Sequence, residues 1–308
     1  MGSRMSRSLE EKTWPEETKR GRNIVGNRTG LVLEGGAMRG MFTCGVIDVF
    51  MENDIRFEAC AGISAGAVFG CNYKSRQIGR PIRYNKRFCK DPRYCSIRSL
   101  IKTGDLYGAE FCYRTLPDEL DLFDRETFKN DPMDFYIGAT DVKTGKCVYH
   151  KCTDGGETDM MWMRASASMP VASKPVPIGG ELYLDGGIAD SIPYAYMESL
   201  GYNRNVVVLT QPLGYIKRKA SSLMNLALKK YPAIAEGMAK RHEVYNRQIQ
   251  EIEEREKRGD FFVIRPPEDV GVGRTEKDPD KLEKAYQMGR KEALRVLPQV
   301  KEFLSKQE

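Results

Sequence analysis

The sequence predicts an α/β fold with a mainly parallel central sheet, and three observations predict it. Gly30-Leu31-Val32-Leu33-Glu34 is a short apolar run, followed by a glycine turn and a helical pattern over Met41 to Met51. Phe57 to Ala61 is a second such run, and it leads into Gly62-Ile63-Ser64-Ala65-Gly66 and the small, apolar stretch Ala65 to Cys71. Asn205-Val206-Val207-Val208-Leu209-Thr210 is β-branched and bounded by polar residues, as a buried strand requires. Strand, turn and helix occurring twice in succession open a parallel sheet with helices on its faces.

Taken in order, residues 1–28 form a polar arm of mixed charge, in which Met1 to Arg4 resembles a cloning remnant. Met41, Val46, Val49 and Phe50 then give the first helix its buried side. Further strands are expected at Phe135 to Thr140, Lys146 to His150, Glu181 to Leu184 and Val206 to Thr210. Lys219 to Arg258 reads as helix, with Ile234, Met238, Tyr245, Ile249 and Ile252 at helical spacing. Phe261 to Arg265 is one more strand, stopped by Pro266-Pro267. Asp278 caps a last helix with Pro279 in its first turn. The layout predicted is a core over 29–212 and a helical C-terminal part over 213–308, with one strand, packed on that core.

Composition narrows the function classes. The 308 residues are 41% hydrophobic and carry a net charge of +6, enough chain for one large domain with a sizeable core. No run of about eighteen apolar residues exists to span a membrane, and the charged N-terminus lacks a secretory apolar stretch. The eight cysteines are scattered, and Cys44, Cys60 and Cys71 sit in apolar surroundings, so a reducing, cytoplasmic setting is expected. Cys89/Cys95 and Cys147/Cys152 lack zinc-knuckle spacing, and only His150 and His242 exist to help, so neither metal nor cofactor is expected.

The chemistry points to Ser64. Glycines on both sides of a serine between strand and helix suit a nucleophile elbow, with the hydroxyl at the positive end of a helix. Glu34-Gly35-Gly36-Ala37-Met38-Arg39-Gly40 is a second strand-to-helix turn whose amides can converge on an anion. It has Ala37 where a dinucleotide fingerprint needs glycine at its third position, and it lacks the Gly-Lys-Ser/Thr of a Walker loop. The base has two candidate sources. One is His242 in the charged run Lys240-Arg241-His242-Glu243, completing a Ser–Asp–His triad; the serine then comes too early and the histidine sits mid-helix. The other is Asp185, delivered by the apolar Leu182-Tyr183-Leu184 into a turn at Gly186-Gly187. Asp-Gly-Gly also suits an ordinary hairpin. The small-residue run Ala165-Ser166-Ala167-Ser168-Met169-Pro170 favours a crowded site instead.

Together, the glycine turn with Arg39, the Gly62–Gly66 elbow, the Ala165–Pro170 run and Asp185-Gly186-Gly187 resemble the patatin-like phospholipases. The likeness covers residues 29 to 210 and, more weakly, the tail from Phe261. It implies a three-layer α/β/α fold and a metal-free Ser64–Asp185 dyad cleaving acyl esters of phospholipids, lysophospholipids or neutral lipids. Ser64 is then nucleophile and Asp185 base. The oxyanion hole lies in Gly35, Gly36, Ala37, Arg39, Gly40 and Ala65. There the amides of Gly35 and Gly36 donate, helped by Ala37 and Ala65, and Arg39 locks the turn or neutralises charge. The family's turn often has glycine where this chain has Ala37; a positive φ there would strain it by ~1–2 kcal/mol.

Residues 74–102 hold ten Lys and Arg against Asp91 alone, with Tyr73, Tyr84, Phe88 and Tyr94 interleaved. A solvated basic face is the plain reading. The functional one is a patch on anionic lipid, with the rings at headgroup level. No nucleic-acid motif accompanies it, so nucleic acid is not an expected partner.

Overall fold

A computed structural model describes residues 28–221 and 227–306. The expected arm lies outside these residues except for its last position, Arg28.

The strands are β1 (Thr29–Leu33), β2 (Ala59–Ile63), β3 (Asp134–Asp141), β4 (Cys147–Lys151), β5 (Val176–Ile178), β6 (Glu181–Asp185), β7 (Arg204–Val208) and β8 (Phe261–Ile264). They form one sheet in the order β5-β6-β3-β2-β1-β7-β8, with β4 also paired to β3. The pairs β1–β2, β1–β7, β2–β3 and β7–β8 are parallel, and β3–β4, β3–β6 and β5–β6 are antiparallel. Helices flank this mainly parallel sheet, as the sequence predicts. The central β1 and β2 are wholly buried, which is why they read as unbroken apolar runs. The extra strand is β5, three residues long with Pro177 inside it. At a sheet edge proline leaves no ladder bond unmade, and so short a run gives no periodic signal.

Two helices follow the first two strands: α1 (Gly40–Glu52) and α2 (Ala65–Lys74). Five more are α3 (Arg80–Phe88), α4 (Ile97–Thr103), α5 (Arg125–Asn130), α6 (Glu157–Ser166) and α7 (Tyr194–Ser199). Phe111–Leu120 is a wide-turn helical stretch that contains Pro117.

Two long helices close the chain. Pro232–Arg258 begins later than the expected Lys219, because Pro232 fits only a first turn; the expected stretch also includes residues 222–226, outside the described ones. Pro279–Ser305 starts as predicted, with the Asp278 carboxylate accepting from the Asp280 amide. It crosses α1 at backbone contact. A Cβ on Gly45 would strike the Tyr286 carbonyl, and one on Gly289 would strike the Phe42 carbonyl. With β8 in the central sheet as well, core and C-terminal part share one apolar interior.

The basic segment differs from the expectation. Tyr73, Tyr84, Phe88 and Tyr94 are all buried, so they cannot meet headgroups. Lys74 donates to the Asp131 and Met133 carbonyls, Arg76 pairs with Asp131, and Arg80 and Arg83 with Asp121. Lys86 pairs with Glu283 and Arg93 with Asp91. Apolar area drives the rings inward, and carboxylates distant in sequence pair with four of the ten cations, Arg76, Arg80, Arg83 and Lys86. Among the described residues no helix is long and apolar enough to cross a membrane.

Candidate active site

Sheet register brings the two predicted side chains together across 121 positions. On one side of β3, Ile63 pairs with Gly138; on the other, Ala139 pairs with Asp185. Ser64, one step beyond Ile63, therefore ends beside Asp185, and its Oγ donates to Asp185 Oδ2 at 2.7 Å. Ser64 adopts φ +53° and ψ −116°, a strained conformation for a residue with a side chain. The elbow glycines serve closeness instead. A Cβ on Gly62 would meet the Gly66 carbonyl, and one on Gly66 would meet the Leu33 carbonyl. The strain thus falls on the serine, while the glycines let strand and helix approach.

Ser166 was missed as a named residue, although its small-residue run was noticed. Its Oγ accepts from the Ser64 amide at 2.8 Å and donates to the Gly138 carbonyl at 2.6 Å, pinning the strained turn to β3. The Ser168 carbonyl accepts from the Asp185 amide at 2.8 Å, and Thr140 Oγ1 donates to the Asp185 carbonyl at 2.8 Å. Asp185 Oδ1 accepts from the Gly187 amide at 2.7 Å. Gly186 lies so close to β3 that a Cβ would strike the Gly138 carbonyl.

Burial at 1% exposure raises the Asp185 pKa above the ordinary carboxylate range. Arg241, the Ser64 hydroxyl, the Gly187 amide and Arg274 oppose that rise without cancelling it. The serine is 9% exposed.

The glycine turn folds back through Glu34. Its Oε1 accepts from Tyr245 Oη at 2.9 Å and its Oε2 from the Thr210 amide at 2.6 Å. Ala37 does take the positive φ, +50°. Gly35 departs from its expected role, because its amide donates to the Ser191 carbonyl at 3.3 Å. Among the described residues no group accepts from the amides of Gly36, Ala37 or Ala65. Gly40 packs instead: a Cβ there would crowd Phe69 and Ala65.

His242 does not join the site. Its Nε2 lies 3.7 Å from Glu243 on the same helix, and its buried Nδ1 has no partner among the described residues. His150, Cys152 and Asp159 do cluster, with His150 Nε2 2.7 Å from Asp159 Oδ1. Asp159 Oδ2 already accepts from the amides of Thr153, Asp154 and Gly155, which suits a loop anchor better than a metal ligand. A cavity of about 610 Å³ lies beside α6, lined by Tyr113, Arg114, Arg125, Met160 and Arg164; neither Ser64 nor Asp185 lines it.

The model of the patatin-like phospholipase family matches residues 31–197, more than half of the chain, and that of a domain of unknown function, DUF6363, matches residues 231–305. The chain is 26% identical over 194 residues to a putative patatin-like phospholipase domain-containing protein, M110.7, of Caenorhabditis elegans, covering 59% of this chain and 17% of that one. To lysophospholipase NTE1 of Chaetomium globosum it is 27% identical over 187 residues, covering 58% and 12%. To the uncharacterized protein YjjU of Escherichia coli it is 29% identical over 202 residues, covering 60% and 52%. It thus spans a small part of the first two relatives and about half of the third. Among solved structures it is similar to VipD from Legionella pneumophila, with TM-score 0.45 and 13% identity over 89% of this chain and 67% of that one.

Proposed function

Because the chain belongs to the patatin-like phospholipase family, a family of lipid hydrolases, we propose that it is a serine hydrolase of lipid acyl esters, with Ser64 as nucleophile and Asp185 as base. The observation that carries this reading is the 2.7 Å hydrogen bond from the strained Ser64 to a buried carboxylate with a raised pKa.

In acylation, Ser64 Oγ attacks the ester carbonyl carbon while its proton passes to Asp185 Oδ2, and the carbonyl oxygen takes the π-electron pair. The amides of Gly36 and Ala37, with Ala65, are the donors available to that oxyanion. Loss of one such donor typically costs ~2.7–4 kcal/mol. Collapse expels the alcohol, which takes the proton back from Asp185. Water then attacks the acyl-serine, Asp185 accepts its proton, and the fatty acid leaves as Ser64 is reprotonated. Burial lifts Asp185 towards the pKa that base catalysis needs.

The expected contact with anionic lipid is kept by α4. There Arg98 and Lys102 have no carboxylate within 4.0 Å among the described residues, and Ile97 and Ile101 are exposed beside them. Reversing both charges is expected to weaken sedimentation with anionic vesicles; unchanged sedimentation removes this contact from the reading.

The deciding experiment combines a fluorophosphonate probe with short-chain p-nitrophenyl esters. Ser64→Ala and Asp185→Asn should abolish turnover, and His242→Ala should not. Loss of turnover in folded His242→Ala favours a triad, and an unlabelled wild type favours a silent lipid binder.

A further inference from the structure

Four cations from four separate segments lie within electrostatic reach of this site and of one another. Arg39 belongs to the glycine turn and Lys217 to the stretch after β7. Arg241 lies on the long helix Pro232–Arg258, and Arg274 precedes the C-terminal helix. Arg241 Nε donates to the Gly187 carbonyl, two residues from Asp185. Lys217 Nζ stands 4.0 Å from the ring centre of Tyr245, whose hydroxyl holds Glu34. Arg241 and Arg274 both act electrostatically on Asp185, and Arg39, Arg241 and Arg274 all act on Lys217.

Their charge is only partly matched, four cations against Glu34 and Asp185. Among the described residues none of the four has a carboxylate within 4.0 Å, and Arg39 Nε is buried without a partner. The two nearby acids are already engaged, Glu34 by Tyr245 and Thr210, and Asp185 by Ser64 and Gly187. Burial, then Arg241, Arg39 and Arg274, pull the Lys217 pKa down to about 7 against the pull of Glu34. Burial likewise lowers that of Arg241. Groups held this way favour an added anion, which would relieve the repulsion among them.

We propose that Arg39, Lys217, Arg241 and Arg274 form a subsite for the phosphate of a glycerophospholipid or lysophospholipid, held while its acyl ester lies against Ser64. Its substrate class rests on the acyl-ester reading above. Lys217, Arg241 and Arg274 all lie beyond the residues matched by the patatin-like model, and the last two lie within the match to the domain of unknown function. That C-terminal part thereby acquires a task, reading the head group. Leu213 and Ile216, exposed on the same stretch as Lys217, favour an amphiphile over a free phosphate ion.

The test uses the full chain, with Lys217→Met and Arg274→Gln made singly and together. Turnover of a lysophosphatidylglycerol is compared with that of the monoacylglycerol of the same chain length. The preference for the phosphorylated ester should fall at least tenfold in the double variant; an unchanged preference overturns the subsite. Inorganic phosphate should compete weakly with the lysophospholipid; competition as strong as that by a phosphorylated lipid overturns the choice of a lipid ligand. Calorimetry with glycerol 3-phosphate on Ser64→Ala reads the subsite without turnover. Binding that is lost when Lys217→Met and Arg274→Gln are added supports the subsite even if no ester is cleaved. No binding overturns it even if uncharged esters are.

Discussion

Asp159 and Asp185 are each 1% exposed, yet their surroundings push them to opposite sides of the ordinary carboxylate range. Burial raises both. At Asp159 the His150 hydrogen bond and the amides of Gly155 and Thr153 more than offset it, and the pKa ends below its usual value. The Asp185 carboxylate receives only two hydrogen bonds, from Ser64 and the Gly187 amide, and with Arg241 and Arg274 acting from farther away burial still prevails. The difference is hydrogen-bond supply together with the deeper setting of Asp185, which strengthens the effect of burial there. A carboxylate given three amides and an imidazole is an anchor for the loop entering α6, while one left short of donors keeps the appetite for a proton that a base requires.

The widest separation between the two comes from their amides. Asp185→Asn should lower turnover of a p-nitrophenyl ester by ~10³-fold or more, a loss of about 4 kcal/mol in transition-state stabilisation. It should also raise the melting temperature, because a buried charge is removed while an amide can still meet both Ser64 and Gly187. Asp159→Asn should retain turnover in protein that folds; a comparable loss of kcat there would erase the distinction.

Stability gives the next contrast. Asp159→Ala strands three amides and His150, and should cost about 3 kcal/mol or more in denaturant unfolding. A smaller change than that of a surface alanine would mean water replaces the carboxylate freely.

The acid limb of the rate profile sharpens the comparison further. Asp185 works ionised, so kcat/KM should fall as pH drops through its raised pKa. Arg241 opposes that rise, and Arg241→Gln should therefore move the limb to higher pH, with Arg241→Lys restoring it. A limb unmoved by Arg241→Gln would mean another group governs it.

The smallest effect is expected at Lys217. Its pKa of about 7 lies below the usual 10.5, so the folded state binds its proton less well than the unfolded chain does. That penalty is complete below about pH 7 and vanishes towards 10.5. Lys217→Met should thus stabilise the protein by the order of 1 kcal/mol at pH 6 and less as pH rises, read from urea unfolding at several pH values. A loss of stability at pH 6 would show that the cation is compensated.

Most of the sheet and both members of the Ser64–Asp185 pair were legible because tight turns and buried strands leave local signatures. Gly62 and Gly66 flank the elbow for lack of room beside it, and Val206 to Val208 read as a strand because both faces are covered. The burial of the rings and the ion pairs of the basic stretch were not legible, for the opposite reason. Its partners Asp121, Asp131 and Glu283 are remote, and no window of neighbouring residues reveals them. Lys217, Arg241 and Arg274 sit in charge-rich surroundings where every cation looks alike. Only the fold distinguishes the unpaired ones. Ala37 lies between these extremes: a departure from the family's glycine could be seen, but its +50° φ needed coordinates. Ala37→Gly should relieve about 1 kcal/mol.

The crossing at Gly45 and Gly289 bears on how damaged alleles of this protein behave. A premature stop codon between residues 213 and 278 deletes the helix that covers α1 and bares its face at Phe42, Gly45 and Asp48 to water. The shortened product should therefore be cleared by quality-control proteases rather than persist as an inactive enzyme. A bulky missense change at either glycine should share that fate while leaving every residue around Ser64 intact.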